Sequence, residues 1–485
     1  MHSAQGGATH EAVTDLHKAL LADQQPRAAN SKTSPDLRTV EGGMVHLKAP
    51  GGFRRSFLHA RADAEGKPMH ARPAAWHTSL LQTVQPLEVL GIRLGDDGEE
   101  LPAPPPGECG LAQTVLAMSK SFVGSGITFL PGAFIQGGWL FSSLVLVALG
   151  FVNAICIRLL LHCNERTGLS GFGEIAERAA GGAAKQAVHV SLVISQFGTN
   201  VAYLIFINQM ATALGARTYI SEQALIFLLV AVVAPLCFIR SIHRMELAIL
   251  GADVLIVLGL LVAIAYALGD LALEGPDSTL QSFRPATCGL FVGTAVFTFE
   301  GIPYMLPIRS SMKDPDKFWP VFVKVFPCIV LFFAAFGLIG YADYGSHVQS
   351  IVLLNMPAGP MTVSVQLAYM VALILSSPLV FLPAARITEL WVFGVVKEKG
   401  SKRWSKNVLR MAEVCIFGFV ALYGGKYFEK FLALTGALCC APVAFIYPSY
   451  FHLRLCAESC TEKALDVLLV CFGFLAMLFV LYETL

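Results

Sequence analysis

Glu300 sits at the end of the apolar run Val296-Phe297-Thr298-Phe299 and immediately before Gly301. A carboxyl group at that depth in a membrane segment is expensive and normally faces a bundle interior or a water-filled path. Two roles fit it: a protonated acid bonded to a neighbouring helix, or a carboxylate that holds a gate shut or titrates during turnover. Asp253, in Leu250-Gly251-Ala252-Asp253-Val254, is a second acid of this kind. Burial removes the hydration that favours a charged carboxylate, so such a group either carries a proton or takes a cationic partner. Lys120 is the nearest candidate partner in sequence pattern, unless it merely extends its ammonium to the membrane surface.

The elements that must hold these groups include an interrupted apolar stretch, Gly110 to Gly138, in which Gly124-Ser125-Gly126 and Pro131 break an otherwise helical pattern. Glycine costs a helix about 1 kcal/mol and proline about 3 kcal/mol relative to alanine. In hydrocarbon such a break survives only where it packs in protein or lines a cavity. The N–H groups of Gly126, Ile127 and Thr128 then open a half-helix and suit a carboxylate. Carbonyls ending the preceding half-helix, and those near Phe299, suit an ammonium group. The pair of breaks thus offers both poles needed by a zwitterion. Asn200 and Tyr203 are polar groups on an otherwise apolar segment, and Tyr203 is placed to bond a substrate carboxylate. Ser376-Ser377-Pro378 sets two hydroxyls beside a kink, as a coupling element or as serines bonded back to their own helix.

Composition sets the surroundings. Of 485 residues 55% are hydrophobic and 14% charged, against about a quarter charged in soluble domains. Apolar runs long enough to span a bilayer recur through 110–485, so the fold class is an all-α polytopic membrane protein. Eleven spans are expected, near 111–135, 139–162, 187–214, 222–240, 245–268, 287–308, 319–341, 362–384, 407–423, 428–451 and 464–482. The ninth is the shortest and carries Glu413. Residues 1–108 are polar, end in Pro102-Ala103-Pro104-Pro105-Pro106, and read as a disordered tail ahead of the transmembrane domain 109–485. Met1 opens no basic-then-apolar pattern of a cleavable signal peptide.

With the N-terminus cytoplasmic, the inside loops hold Arg166, Arg178, Lys185, Arg240, Arg244, Arg309, Lys313 and Lys317. They also hold the dense run Arg386, Lys397, Lys399, Lys402, Arg403, Lys406 and Arg410, then Arg454 and Lys463. The opposite loops offer Arg217, Arg284, Lys426 and Lys430. This asymmetry puts the two termini on opposite sides and supports an odd number of spans.

The sixth span repeats the first in miniature. Gly126-Ile127-Thr128-Phe129-Leu130-Pro131 has its counterpart in Gly301-Ile302-Pro303-Tyr304-Met305-Leu306-Pro307, with one residue more. Five spans separate the two, so the copies run in opposite directions. Matching Gly/Pro breaks in two inverted halves, about 110–269 and 286–451, point to a secondary transporter with a midplane site. The extra helix lies at 464–482. No P-loop, zinc motif or Gly-x-Ser-x-Gly elbow appears, which argues against an enzyme or primary pump and against any cofactor or metal. The twelve cysteines form neither a secreted disulfide framework nor a Cys-x-x-Cys pattern.

Several motifs together resemble the amino acid/auxin permease family, in the branch of proton-coupled and plant-type vacuolar neutral amino acid transporters. They are Gly124-Ser125-Gly126-Ile127 with Leu130-Pro131, Ser195-Gln196-Phe197-Gly198 with Tyr203-Leu204-Ile205-Phe206-Ile207, and Phe299-Glu300-Gly301-Ile302 with Leu306-Pro307. Ser376-Ser377-Pro378-Leu379 and Cys439-Cys440 with Pro448-Ser449 complete the set. The resemblance covers 110–485. It implies a LeuT-like fold of five-plus-five inverted repeats with broken first and sixth helices. It implies as well a small neutral amino acid as substrate, moved across a vacuolar or lysosomal-type membrane, with the plasma membrane as the alternative. The coupling ion would be the proton, sodium being the other choice. One departure stands out: proton-coupled animal relatives carry a histidine about two turns before the glycine break, where this chain has Ala117. Coupling then falls to Glu300 or Asp253, and a proton-independent facilitator stays open. An amino acid sensor that signals through the tail is the reading from another class, and an ion channel ranks last. The partners expected are the amino acid and the bilayer, with no nucleic acid.

Overall fold

The computed structural model describes residues 107, 109–239, 246–394 and 401–484, without the side chains of 246–250 and 401–402. The tail, and Arg240, Arg244, Lys397 and Lys399 of the charge argument, lie outside the described residues.

The first apolar stretch forms α1 (Leu111–Phe122), a 3-10 turn (Ser125–Phe129) and α2 (Leu130–Gly137). Val123 and Gly124 leave the helix in extended conformations, and Pro131 occupies the first turn of α2, where its missing N–H costs least. After it come α3 (Trp139–Thr167), α4 (Phe172–Ala213), α5 (Glu222–Cys237) and α6 (Glu246–Glu274). The sixth stretch is again divided, into α7 (Cys288–Thr298), a 3-10 turn (Ile302–Tyr304) and α8 (Met305–Ser310). Next are α9 (Phe318–Tyr344), α10 (Pro360–Phe393) and α11 (Ser401–Gly424). The chain ends with α12 (Phe428–Thr435), two π-helical turns (Gly436–Cys440 and Pro442–Ile446), α13 (Tyr447–Leu455) and α14 (Cys460–Thr484).

Among the described residues, eight helical stretches are long and apolar enough to cross a membrane, and Glu222–Cys237 is a shorter apolar one. Large apolar side chains such as Leu144, Phe151, Phe227, Leu258, Leu331, Phe419 and Leu475 are exposed on them, which is stable against lipid and costly against water. The chain is an all-helical, multi-pass integral membrane protein.

Several helices run past the hydropathy reading, α10 to Phe393 and α6 to Glu274 among them, and two of the differences have a clear physical reason. The helix holding Asn200 begins at Phe172 and kinks at Ala180-Gly181 before the apolar part starts. Its first turns carry Glu174, Glu177 and Arg178 outside a buried face of Phe172, Ile175, Ala176 and Ala179, and amphipathic turns are invisible to a search for continuous apolarity. The ninth stretch runs from Ser401 to Gly424 rather than 407–423. Two of its charges are neutralised inside the protein: Arg410, fully buried, donates to Glu389 at 2.7 Å and to the Cys237 carbonyl at 2.8 Å. Lys406 adds a contact to Glu389 at 3.4 Å.

Candidate functional site

The two interrupted stretches cross at their breaks. A Cβ on Gly126 would stand 3.4 Å from Thr298 Cα, and one on Gly301 would stand 2.6 Å from the Phe122 ring and 2.8 Å from the Ser121 carbonyl. Farther out, the backbone of Cys109 pairs with Ser311 and Lys313, binding the start of α1 to the end of α8. Each break therefore sits against the last turn of the other stretch's leading helix.

A cavity of about 160 Å³ opens beside this crossing, walled by α1, the first break, α4, α6, the second break and α10. Among its lining residues are Lys120, Gly124, Ser125, Gly126, Gln196, Thr199, Tyr203, Asp253, Thr298, Glu300, Tyr304 and Ser376. Glu300 accepts hydrogen bonds from Ser195 Oγ at 3.0 Å, Gln196 Nε2 at 3.0 Å and Thr199 Oγ1 at 3.0 Å. Tyr304 in turn donates to Gln196 Oε1 at 3.4 Å, which orients the amide so that its NH2 faces the carboxylate. A carboxylate with three neutral donors suits an acceptor-only, charged group, and the same hydroxyls can turn to accept when a proton arrives.

The other acid is paired. Lys120 Nζ lies 2.5 Å from Asp253 Oδ2, each side chain 28% exposed, so the pair ties α1 to α6 within the cavity wall. This decides between the two roles open to Lys120 in favour of the ion pair. Removing one partner leaves the other charge uncompensated, which is worse than removing both. Asp253→Asn alone is therefore expected to lower uptake more than the double variant Lys120→Met/Asp253→Asn. A double-mutant cycle on initial uptake rates reads the difference, and additive losses would dismiss the pair as a functional element.

The cavity is lined by α1 and by no residue of α2. On the α2 side the packing is closed. A Cβ on Gly132 would meet the Gln349 carbonyl at 2.7 Å, and one on Gly340 would meet Pro131 at 2.8 Å. Glu429 of α12 accepts from Gln136 Nε2 at 2.6 Å and from Ser350 Oγ at 2.7 Å, joining the end of α2 to the segment after α9. Thr287 Oγ1 donates to the Gln136 carbonyl at 2.8 Å, and the Trp139 N–H to the Gln281 carbonyl at 2.9 Å. In the same loop two hydrogen bonds from Thr279 hold the Asp277 carboxyl below the usual carboxylate range. Glu429→Ala breaks both bonds across this seal. It is expected to increase labelling of a cysteine placed at Ser125 by a polar thiol reagent added from the α2 side. Unchanged labelling would show that the packing alone keeps the seal.

A model of the transmembrane amino acid transporter protein family matches residues 108–485. The chain belongs to that family. It is 35% identical over 399 residues to vacuolar amino acid transporter 3 of Saccharomyces cerevisiae, covering 78% of this chain and 57% of that protein. To vacuolar amino acid transporter 3 of Schizosaccharomyces pombe it is 30% identical over 533 residues, covering 99% of this chain and 80% of that one. Among solved structures it is similar to inward-facing Mhp1 (14% identity, TM-score 0.49, 78% of this chain and 89% of that one). MhsT in complex with L-phenylalanine gives 14% identity and a TM-score of 0.47, over 79% of this chain and 100% of that one. Those two likenesses are too remote to carry an argument. The family is one of membrane transport proteins rather than enzymes.

For this member of the transporter family, the structure brings eight of the sequence-derived residues to one cavity: Lys120, Gly124, Ser125, Gly126, Tyr203, Asp253, Glu300 and Ser376. The others stand behind it. Ile127 is buried in the apolar core, and Thr128 Oγ1 bonds back to the Ser125 carbonyl at 2.6 Å. Asn200 donates to the Gln196 carbonyl at 2.9 Å, and Ser377 to the Leu373 carbonyl at 3.1 Å, each within its own helix. The Phe299 ring turns to Phe326 and Phe333, at centroid distances of 6.1 and 5.7 Å, and Phe299 does not line the cavity, although Thr298 and Glu300 beside it do. Gly301 contributes the close approach described above. Sequence reasoning gave no role to Gln196, Thr199, Tyr304 and Thr298. The signal was present: Ser195, Gln196 and Thr199 put polar groups at i, i+1 and i+4 on a helix otherwise apolar there, and i with i+4 share a face.

Proposed function

We propose that the protein is a secondary transporter of small neutral amino acids, coupled to protons, working by alternating access around the two crossed breaks. The observation that carries this reading is Glu300, held by Ser195, Gln196 and Thr199 in the wall of a cavity whose floor is the backbone around Gly126. The carboxylate of a zwitterion would meet the N–H groups of the first break and the Tyr203 hydroxyl. Its ammonium would turn to carbonyls of the second break and to Glu300. Asp253, Lys120 and Ser376 would gate or couple, since they line the same space.

Each interrupted stretch counts as a single span in this proposal, as does the stretch from α12 to α13. That gives eleven spans, arranged as two inverted sets of five followed by α14, the LeuT-like arrangement that the family resemblance implies. With the N-terminus cytoplasmic, the cavity on the α1 side opens inward and the closed α2 side faces the lumen. The names of the two yeast relatives favour a vacuolar-type membrane. Because the chain spans 57% of the length of the Saccharomyces relative, that protein's own activity reaches this chain only as part of the proposal.

The test is uptake and efflux in vesicles reconstituted with the full chain, across a panel of amino acids, with proton or sodium gradients imposed. A proton gradient that drives accumulation of small neutral amino acids supports the proposal. Flux that equilibrates without responding to either gradient replaces it with a facilitator. Absence of flux in the full chain and in a chain lacking residues 1–108, alongside measurable amino acid binding, replaces it with a sensor.

A further inference from the structure

Away from the cavity, where α3 meets α13, three side chains turn their ligand atoms toward one point. His162 on α3, His452 on α13 and Cys456 just past α13 have Nδ1 or Nε2 and Sγ atoms that all lie within 4.8 Å of one another. His162 Nδ1 and His452 Nε2 are 3.0 Å apart. On the far side of its ring, His452 Nδ1 lies 2.8 Å from Asp466 Oδ2, on α14. An ionised Asp466 can only accept, so a neutral His452 donates through Nδ1 and its Nε2 turns a lone pair toward His162. A carboxylate behind a histidine in this way fixes the tautomer and strengthens the ring as a metal ligand.

We propose that His162, His452 and Cys456 form a binding site for a borderline-soft divalent cation such as zinc, with Asp466 as the positioning group behind His452. Donor chemistry favours that class, because imidazole and thiolate together select zinc-like ions over magnesium or calcium. Geometry agrees with it. Nitrogens bound to one tetrahedral zinc stand about 3.3 Å apart, and nitrogen and sulfur about 3.6 Å, from bond lengths near 2.0–2.1 and 2.3 Å. The imidazole pair is already near that spacing, and Cys456 Sγ reaches its place by a shift on the order of 1 Å. Charge agrees as well. Asp466 is fully buried, its Oδ1 has no hydrogen-bond partner, and its ion-pair partner is a histidine that is charged only when protonated. A dication held by a Cys456 thiolate offsets that carboxylate and makes the cluster neutral, the thiol proton leaving to solvent as the metal binds. The fourth position falls to water, which keeps the cluster neutral, with Cys163 Sγ packed 3.9 Å from Cys456 Sγ on the protein side. His162 is only partly buried, which gives the ion a way in. Bound there, the cation would clamp α3, α13 and, through Asp466, α14.

The experiment uses the purified full chain, stripped of metal and reloaded with cobalt as a spectroscopic stand-in for zinc. One equivalent per chain is expected, with a thiolate-to-cobalt charge-transfer band in the near ultraviolet. Cys456→Ser should lose that band, and His162→Ala should lower zinc affinity at least tenfold. Wild-type protein that takes up no more metal than the double variant His162→Ala/Cys456→Ser overturns the proposal, as does cobalt bound without a sulfur band. Should the variants fold poorly, the wild-type cobalt spectrum and stoichiometry decide alone. A thermal midpoint that rises with added zinc in the wild type and not in Cys456→Ser reports the clamp.

Discussion

Gly301→Ala is expected to abolish uptake while the protein still inserts and purifies, whereas Gly126→Ala should retain measurable uptake. The difference comes from what each added Cβ would meet. At Gly301 it would fall 2.6 Å from the Phe122 ring and 2.8 Å from the Ser121 carbonyl, and the second of these is backbone that cannot rotate away. At Gly126 the nearest atom is Thr298 Cα at 3.4 Å, an ordinary contact. Gly301 has φ −71° and ψ −9°, a conformation open to any residue, so the requirement is for space and not for backbone freedom. Overpacking of this kind costs about 1–3 kcal/mol. The core is large enough to bear that globally, but here the strain falls on the crossing of the two breaks, which alternating access must rearrange. Radiolabelled amino acid uptake, normalised to protein in the membrane, is the measurement. Wild-type uptake by Gly301→Ala would remove the crossing from the mechanism. Gly126→Val extends the comparison: two further carbons reach the Thr298 side chain, and loss of uptake is expected there too.

Glu300→Gln should leave exchange of amino acid across the membrane intact and remove the pH dependence of net transport. The substitution keeps length and shape and deletes the proton-carrying function. It also exchanges an acceptor-only group for one with an NH2, which must face at least one of three donors, Ser195, Gln196 or Thr199. Thr199 relieves that conflict by giving its proton to the Ser195 carbonyl, already 3.1 Å away. Hydrogen bonds to a charged group are worth about 1.5–3 kcal/mol each, so some loss of stability accompanies the change. Comparing Glu300→Asp separates the two effects, because it keeps the charge and withdraws the oxygens from the clamp. Counterflow in vesicles and the pH profile of net uptake are the readouts. An unchanged pH profile in Glu300→Gln would pass the coupling role to Asp253, whose pairing with Lys120 gives it a different partner and a different test.

The sequence by itself determined the class of protein and the location of the breaks. Apolar runs through 110–485 leave a bilayer as the only medium, and Gly124, Gly126 and Gly301, with Pro131 and Pro307 in the first turns that follow, mark where the helices are interrupted. It also marked Glu300 and Asp253, since an acid inside an apolar run is conspicuous whatever surrounds it. What it could not fix was direction around a helix and partners across helices. Thr128, Asn200 and Ser377 are polar in the sequence, yet their side chains bond to their own backbones within one turn. Gln196, Thr199 and Tyr304 look no more unusual than those and turn out to face the cavity. The pairing of Lys120 with Asp253, 133 positions apart in the numbering, depends on the angle at which α6 crosses α1. The same holds for His162, which lies 290 positions from His452 and meets it and Asp466, on the consecutive helices α13 and α14, only once the chain is packed. For the broken stretch after α1, the sequence showed that the helix ends there; the tertiary structure decided that the other break fills the gap, with Gly301 against Phe122 and Gly126 against Thr298. Backbone rules are local and legible in order along the chain, whereas contact across helices is set by packing, which only the folded molecule contains.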